Sequence, residues 1–592
     1  MKANKFFLGL ALIGAILTGC DNNEPEQTGN YDTTSYMSVS IAQVGGTRAT
    51  TDGPGESGGF IVGETSENQI TSVDFYFFNG DAPFTFGSDV QNGVGAAFGT
   101  SNCYTYIPGA TTDGADGDNV GKIVNSTLVI SHNKGNIPTS MVAVINCEKG
   151  AYANKTLTEI KAATLGADEY SNTNGHIMTN SVYRGADGKE AFETPISINN
   201  LAINKANALA NPVTIYVERV AARVKVVQSK PVHSSYNTAI GAYNTGVKIN
   251  IDNAGPEKEV YARIAGWDIV TYAKDGLLVK DVEFTGWENA SVNGFNWSDP
   301  VNYRSYWANA DKDDFGVVKP FKWNGLTNNI DAIDYCLENT TTPVYNTAGV
   351  DGLGQPTEDL DISRTKVTKV VVAAELVDAS GNTVEFIRWY GQDYSLNGIK
   401  TAVANLLKGK YMYSESSVYY DITAADIDVL SYNAYASGDH QYYYQVYFKL
   451  SEATGVGKNR AGGWYTPTEV TDGGGNTTIV MQSVTTDVIN TYLYDVKRAD
   501  YYKGMSYYIV NIKHLGTVEK DASNVYQPAY YGIVRNHAYE IAIESIKGLG
   551  TPVVDPDEEH EEPITPTDSE SYVAAKINIL AWHVVDQTVT LQ

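Results

Sequence analysis

His132, His176, His233, His440, His514, His537, His560 and His583 are the residues of this chain best suited to proton transfer or metal ligation. No two of them stand at the spacing of HExxH or another local zinc signature. A phosphate-cradling GxxxxGK[ST] is also absent. Asp113, Asp116 and Asp118 could form part of a calcium loop, but their spacing misses the EF-hand pattern and the bidentate Glu is missing, so a solvated turn is the better reading. Asp311, Asp313 and Asp314 read the same way. The two carboxylates of a glycoside hydrolase need only lie about 5–10 Å apart in space, a relation that chain spacing does not reveal. The expectation is a protein that is not an enzyme and that uses no cofactor and no metal.

Chemistry done to the chain is better marked. Lys2 and Lys5 precede an apolar run from Phe6 to Leu17, too short to cross a bilayer, which takes about 20 residues as a helix. The run ends Leu17-Thr18-Gly19-Cys20, which looks like a bacterial lipoprotein signal, with Cys20 as the lipidated new N-terminus. The alternative is an ordinary secretory signal with a chance Cys. Arg48 stands in Gly45-Gly46-Thr47-Arg48-Ala49-Thr50, a small-residue loop that a trypsin-like protease can reach; the alternative is a plain surface Arg. Cys103, Cys147 and Cys336 have no CxxC spacing and read as buried thiols, or as one disulfide with a free thiol left over.

The elements that hold these positions are mostly strands. Met37, Val39 and Ile41 alternate with Ser38, Ser40 and Ala42, the pattern of a half-buried strand just ahead of Arg48. Val73, Phe75 and Phe77 alternate as well, as do Tyr442, Tyr444, Val446, Phe448 and Leu450, and later Tyr508/Val510/Ile512 and Tyr539/Ile541/Ile543. Helical spacing is confined to Leu157/Ile160/Ala163 and Ile399/Val403/Leu406/Leu407. Trp464-Tyr465 and Tyr442 to Tyr444 are candidates for exposed sugar-stacking platforms, although aromatic residues on strands more often form core. The fold class is all-β: β-sandwich domains with a few short helices.

Composition narrows the function. The 592 residues carry 42 Lys+Arg against 69 Asp+Glu, a formal charge of −27, which argues against nucleic acid as a partner. Pro552 to Ser571 holds Asp555, Asp557, Glu558, Glu559, Glu561 and Glu562, and its self-repulsion makes it an extended acidic, Pro-rich linker. Beyond it Val573, Ala575, Ile577, Ile579 and Ala581 alternate, and Trp582, Val584, Val585, Val589 and Leu591 continue past a bend near His583 to Asp586. An apolar strand on a charged tether needs a groove, in its own domain or in another molecule.

The lipoprotein start, Thr47-Arg48-Ala49, the segments Tyr216 to Val224 and Tyr531 to Ile541, and the terminal Ala575 to Leu591 together resemble the fimbrillin family of Bacteroidales type V pili. The layout is most similar to major, shaft-forming subunits of the short-fimbria type. The resemblance implies two transthyretin-like, Greek-key β-sandwich domains. It divides the chain into signal peptide 1–19, propeptide 20–48, N-terminal domain 49–212, C-terminal domain 213–551, linker 552–571 and donor strand 572–592. It further implies a precursor lipid-anchored at the outer membrane and a cut between Arg48 and Ala49 by an Arg-specific, trypsin-like protease. Loss of the Met37/Val39/Ile41 strand would then open a groove that the next subunit's C-terminal strand fills, giving a head-to-tail self-polymer at the cell surface. Anchor and tip fimbrial subunits are the further partners, with a host or bacterial surface ligand for adhesion. The competing reading is a surface lipoprotein that stays anchored through Cys20 and binds carbohydrate on Tyr/Trp platforms.

Overall fold

The computed structural model describes residues 34–44, 64, 66–84, 101–108, 112–113, 120–131, 137–173, 175–184, 190–202, 204–210, 212–228, 236–281, 317–318, 320–339, 345–350, 356–360, 368–431, 445–451, 460, 462–496, 498–512, 532–559, 572–580 and 585–587. Among them strands dominate, and the fold is all-β with several sheets.

The first body is built on β1 (Thr34–Val44), β2 (Val73–Asn79), β3 (Cys103–Tyr106), β4 (Val120–Ser131) and β5 (Ser140–Ile145). Helix α1 (Leu157–Lys161), β6 (Thr164–Gly166), β7 (Met178–Asn180), α2 (Lys205–Ala210) and β8 (Val213–Arg219) complete it. The principal strands run β2-β5-β7-β8-β1-β4, with β3 also on β2, in a sheet of ten strands. The β2 sequence Val-Asp-Phe-Tyr-Phe-Phe is buried on both faces because two cores meet on it. Val73, Phe75 and Phe77 join one, and Tyr76 and Phe78 join the other. Thr156 closes a capping box on α1 by accepting from the Glu159 N–H at 3.1 Å while Glu159 accepts from the Thr156 N–H at 2.8 Å.

The chain leaves this sheet at Val220 and enters another. β9 (Ala221–Gln228), β10 (Ala242–Ile249), β11 (Lys258–Tyr272), β12 (Asp275–Leu277), β13 (Ile333–Leu337) and β14 (Lys369–Val377) belong to the second body. The third body has β15 (Phe386–Trp389), α3 (Leu396–Leu407), β16 (Met412–Glu415), β17 (Val418–Asp421), β18 (Ile427–Ser431) and β19 (Gln445–Leu450). It continues through β20 (Trp464–Thr471), β21 (Thr477–Val484), α4 (Thr486–Asp495) and β22 (Ala499–Tyr502). The chain then returns to the second body as β23 (Met505–Asn511), β24 (Ala538–Lys547), β25 (Tyr572–Leu580) and β26 (Val585–Gln587).

Two sheets of the second body, β10-β11-β14-β23 and β13-β9-β24-β25-β26, enclose one core that includes Val224, Val226, Trp267, Val372, Tyr508 and Ile541. The third body has its own core, in which α3 buries Ile399, Val403 and Leu407, residues four apart on one face, and α4 buries Ile489 and Leu493. Both helical spacings read from the sequence are therefore helices, joined by α2 and α4. The stretch 213–551 holds two cores, and the strand expected to open it at 213, β8, belongs to the first sheet.

Candidate assembly site

β1 is an interior strand. Its backbone pairs in parallel with β8, Val39 opposite Val213 and Ile41 opposite Ile215, and antiparallel with β4, Met37 opposite Leu128 and Ile41 opposite Val124. Met37 and Val39 are 0% exposed and pack with Phe75, Met178, Ile215 and Val217. Ser38, on the alternate face, is buried too, and α2 lies against β1 and β4 with Ala208 as its buried side chain. From Met37 to Val39 the strand read from its alternation as half-buried is thus buried on both faces.

Past β1 the chain is described again at Glu64, and Glu67 ends in a buried ionic cluster between the first two bodies. The Glu67 carboxylate lies 3.4 Å from Nε of Arg223 and accepts from the Tyr335 hydroxyl. Arg219 donates from Nε to the Glu67 carbonyl at 2.9 Å, from Nη1 to Asn536 Oδ1 at 3.0 Å, and to Asn68 Oδ1. Two guanidinium groups and one carboxylate are tolerated in the interior because each is hydrogen-bonded or paired. Burial nevertheless draws Arg219 down to about 10, against the opposing pull of Glu67. Arg535 donates from Nε to Glu338 at 2.6 Å and from its two Nη atoms to the carbonyls of Leu278 at 2.9 Å and Leu277 at 2.6 Å. It thereby ties the second sheet to β12, which pairs with β6 of the first body.

This cluster explains two segments singled out by sequence. Tyr216 to Val224 spans the crossing from β8 to β9, and Tyr531 to Ile541 leads into β24, which pairs in parallel with β9, Arg223 opposite Ala538. Their arginines, Arg219, Arg223 and Arg535, are 5% exposed or less and face the junction. His176 and His537 sit beside them. Burial and the neighbouring Arg219 lower His176 to about 4, and burial lowers His537 to about 3, its Nδ1 lying 2.8 Å from the Arg535 carbonyl. These groups are buried, and among the described residues no cluster suits a metal ion.

The C-terminal segment lies on its own sheet. β25 pairs antiparallel with β24, Ile541 opposite Ile577 and Tyr539 opposite Ile579, and β26 folds back on β25 with Val585 opposite Ile579. Val573, Ala575, Ile577 and Ile579 fall on β25 and Val585 on β26. Ala581, Trp582, Val584, Val589 and Leu591 lie outside the described residues, as do Cys20, Arg48 and Ala49. The first residues of the stretch expected as a linker from 552 are packed. Pro552 pairs with Ser506, and Val553 and Val554 are buried.

Trp464 is a core residue, 0% exposed, with Nε1 donating to Thr486 Oγ1 at 3.2 Å, so it offers no stacking face. Tyr442 to Tyr444, Asp116, Asp118, Asp311, Asp313 and Asp314 lie outside the described residues. Cys103, Cys147 and Cys336 are free thiols; burial pushes Cys103 up to about 12 and raises the other two. Gly55-Glu56-Ser57-Gly58-Gly59 spells GxSxG, also outside the described residues, but the Gly/Pro-rich stretch before it lacks the apolar strand that a nucleophile elbow needs. The junction cluster was missed because a lone Glu67 in a polar stretch carries no periodic signal.

Among the described residues no helix is long and apolar enough to cross a membrane. No curated protein matches the chain. Residues 499–588, which run from β22 through β26, match the family model described as major fimbrial subunit protein type IV, fimbrillin, C-terminal, so this part of the chain is similar to a family of fimbrial structural subunits.

Proposed function

We propose that this chain is the precursor of a structural subunit of a cell-surface fimbria, the shaft of a type V pilus. It is exported as a lipoprotein through Cys20 and cut between Arg48 and Ala49 by an Arg-specific, trypsin-like protease. The cut removes residues 20–48, and with them β1. The Tyr572–Gln592 segment of the next subunit then takes the vacated place by strand exchange. The observation that carries this reading is the interior position of β1 between β8 and β4, a few residues ahead of Arg48.

The physics supports it. Removing an interior strand leaves two unpaired ladder edges and an apolar slot, neither stable in water. A segment of about 20 residues at about 3.3 Å each spans roughly 65 Å, enough to run the height of a domain. Burying each Val- or Ile-sized side chain returns about 1.5–3 kcal/mol, so the exchanged strand dissociates slowly. In the lone chain β25 and β26 rest at the edge of their own sheet, where the donor segment is held by one neighbouring strand, β24, before transfer. The link from residue 560 to 571 provides the reach. A subunit that both gives and receives a strand makes a heterologous contact, which propagates as a filament. Anchor and tip subunits would close its two ends.

N-terminal sequencing of the protein taken from the cell surface tests this. Ala49 as the first residue is the expected result, and a lipidated Cys20 would sink the shaft reading. Deleting residues 572–592 is expected to leave processed, folded monomers without SDS-resistant oligomers.

A further inference from the structure

Among the described residues, one sheet of the third body, β17-β16-β20-β21, ends at β21 in an unpaired edge. Beyond Tyr465, which is opposite Met412 of β16, β20 pairs among the described residues only with β21, and the two project as a hairpin from Thr466 to Gln482. The β20 side of that hairpin is blunted by Pro467, which has no N–H to offer. The β21 side is not. Its sequence, Thr-Thr-Ile-Val-Met-Gln-Ser-Val, contains no charge, no Pro and no Gly, and Ile479 is 70% and Val480 45% exposed. Natural sheets guard such edges with Lys, Pro, bulges or a covering loop, and a long uncharged apolar edge left bare is a template for another strand.

Side chains beside this edge extend the surface. Tyr465 and Pro467 of β20 and Met481 and Ile479 of β21 share the solvent-facing side of the sheet, since Pro467 is opposite Met481. Tyr419 of β17 joins them, its ring centroid 5.0 Å from that of Tyr465. The opposite side carries Trp464 and Tyr413 into the core. An occupant adding a strand to β21 would therefore lay alternate side chains along an apolar stripe.

Charge selects the occupant. The four strands carry Glu415, Asp421 and Glu469 and no Lys or Arg. Glu415 is met by Arg460 at 3.0 Å and Asp421 by Lys408 at 4.0 Å. Glu469 and the turn residue Asp472, held ionised by the N–H groups of Asn476 and Gly474, set the field beside β21. A second copy would bring the same acids to the same edge within a chain of net charge −27. We infer that β21 is a β-augmentation site for an extended segment of another protein, apolar at alternate positions and flanked by Lys or Arg. This site is separate from the strand exchange and does not depend on it.

The test uses the full chain and a fluorescent peptide of alternating Val and Thr flanked by Lys, with a Glu-flanked twin, followed by anisotropy. The Lys-flanked peptide is expected to bind saturably at one per chain, and its twin at least several-fold more weakly. Ile479→Thr should weaken binding, and Ile479→Lys should abolish it with far-UV circular dichroism unchanged, since the side chain is exposed. Three results overturn the inference: no saturable binding, equal binding of the two peptides, or binding unaffected by Ile479→Lys. A fourth, concentration-dependent dimers that vanish in Ile479→Lys, would assign the edge to a second copy instead.

Discussion

His176 is wedged between the rings of Tyr170 and Tyr335, with centroids 6.0 and 4.5 Å away, and Arg219 nearby. A proton there would add a buried charge beside a guanidinium, which is why its pKa falls to about 4; His537, buried near Lys280, falls to about 3. In the unfolded chain both titrate near 6.5. The unfolded state therefore takes up protons as the pH drops below about 6.5 while the folded state stays neutral. Stability is fully present above that pH and declines toward pH 4, by an amount on the order of a few kcal/mol for the two groups together. Urea unfolding at pH 7.5, 6, 5 and 4 should show this slope, and His176→Gln should flatten part of it. An unchanged slope in that variant would assign the loss to His537 or to carboxylates instead.

At the scale of elements, the interior setting of β1 makes a prediction specific to the precursor. Met37→Ala with Val39→Ala removes buried side chains from a packed core, where truncations cost about 1–5 kcal/mol each. The uncut chain should lose several degrees in Tm, while filaments assembled after cleavage behind Arg48 should melt as wild type, because both positions have left with the propeptide. A filament weakened equally would mean that β1 stays in place. The alternation at Met37, Val39 and Ile41 was legible because a strand's period of two survives any context. The two helices were legible because Leu157/Ile160 and Ile399/Val403/Leu407 repeat at the helical period. What alternation does not state is what covers each face: α2 lies against β1, and Trp464 is turned into the core, the setting that aromatic residues on strands more often take. The third body was hidden for a related reason. Its core joins Ile387 and Trp389 to Val446, Phe448, Ile489 and Tyr501, residues brought together only by long-range pairing of β15, β22 and β19. The junction of Glu67 with Arg219 and Arg223 was equally unreadable, since it depends on where the chain crosses between sheets.

For the whole molecule, two features pull assembly in opposite directions. The strand that would be exchanged is apolar and held by a backbone ladder, and neither contribution is much affected by salt. The subunits that would meet first are strongly acidic, −27 for the full chain, and six acids from Asp555 to Glu562 precede the C-terminal strand β25. At low ionic strength the approach of two subunits is therefore opposed over tens of ångströms, whereas near 0.1 M salt the repulsion is screened within about 10 Å. Cleaved subunits should consequently polymerise several-fold faster as NaCl rises from about 10 to about 150 mM, the range over which the screening length shrinks most usefully. The final yield and the resistance of the filaments to SDS should stay the same, because the docked strand owes its hold to burial and register. Light scattering during polymerisation, followed by gel analysis of the end point, separates the two quantities. A rate that falls with salt would mean that complementary charges between subunits drive assembly. A rate that rises while the end point holds would confine the acidity of this chain to the kinetics of encounter and leave stability to the apolar strand.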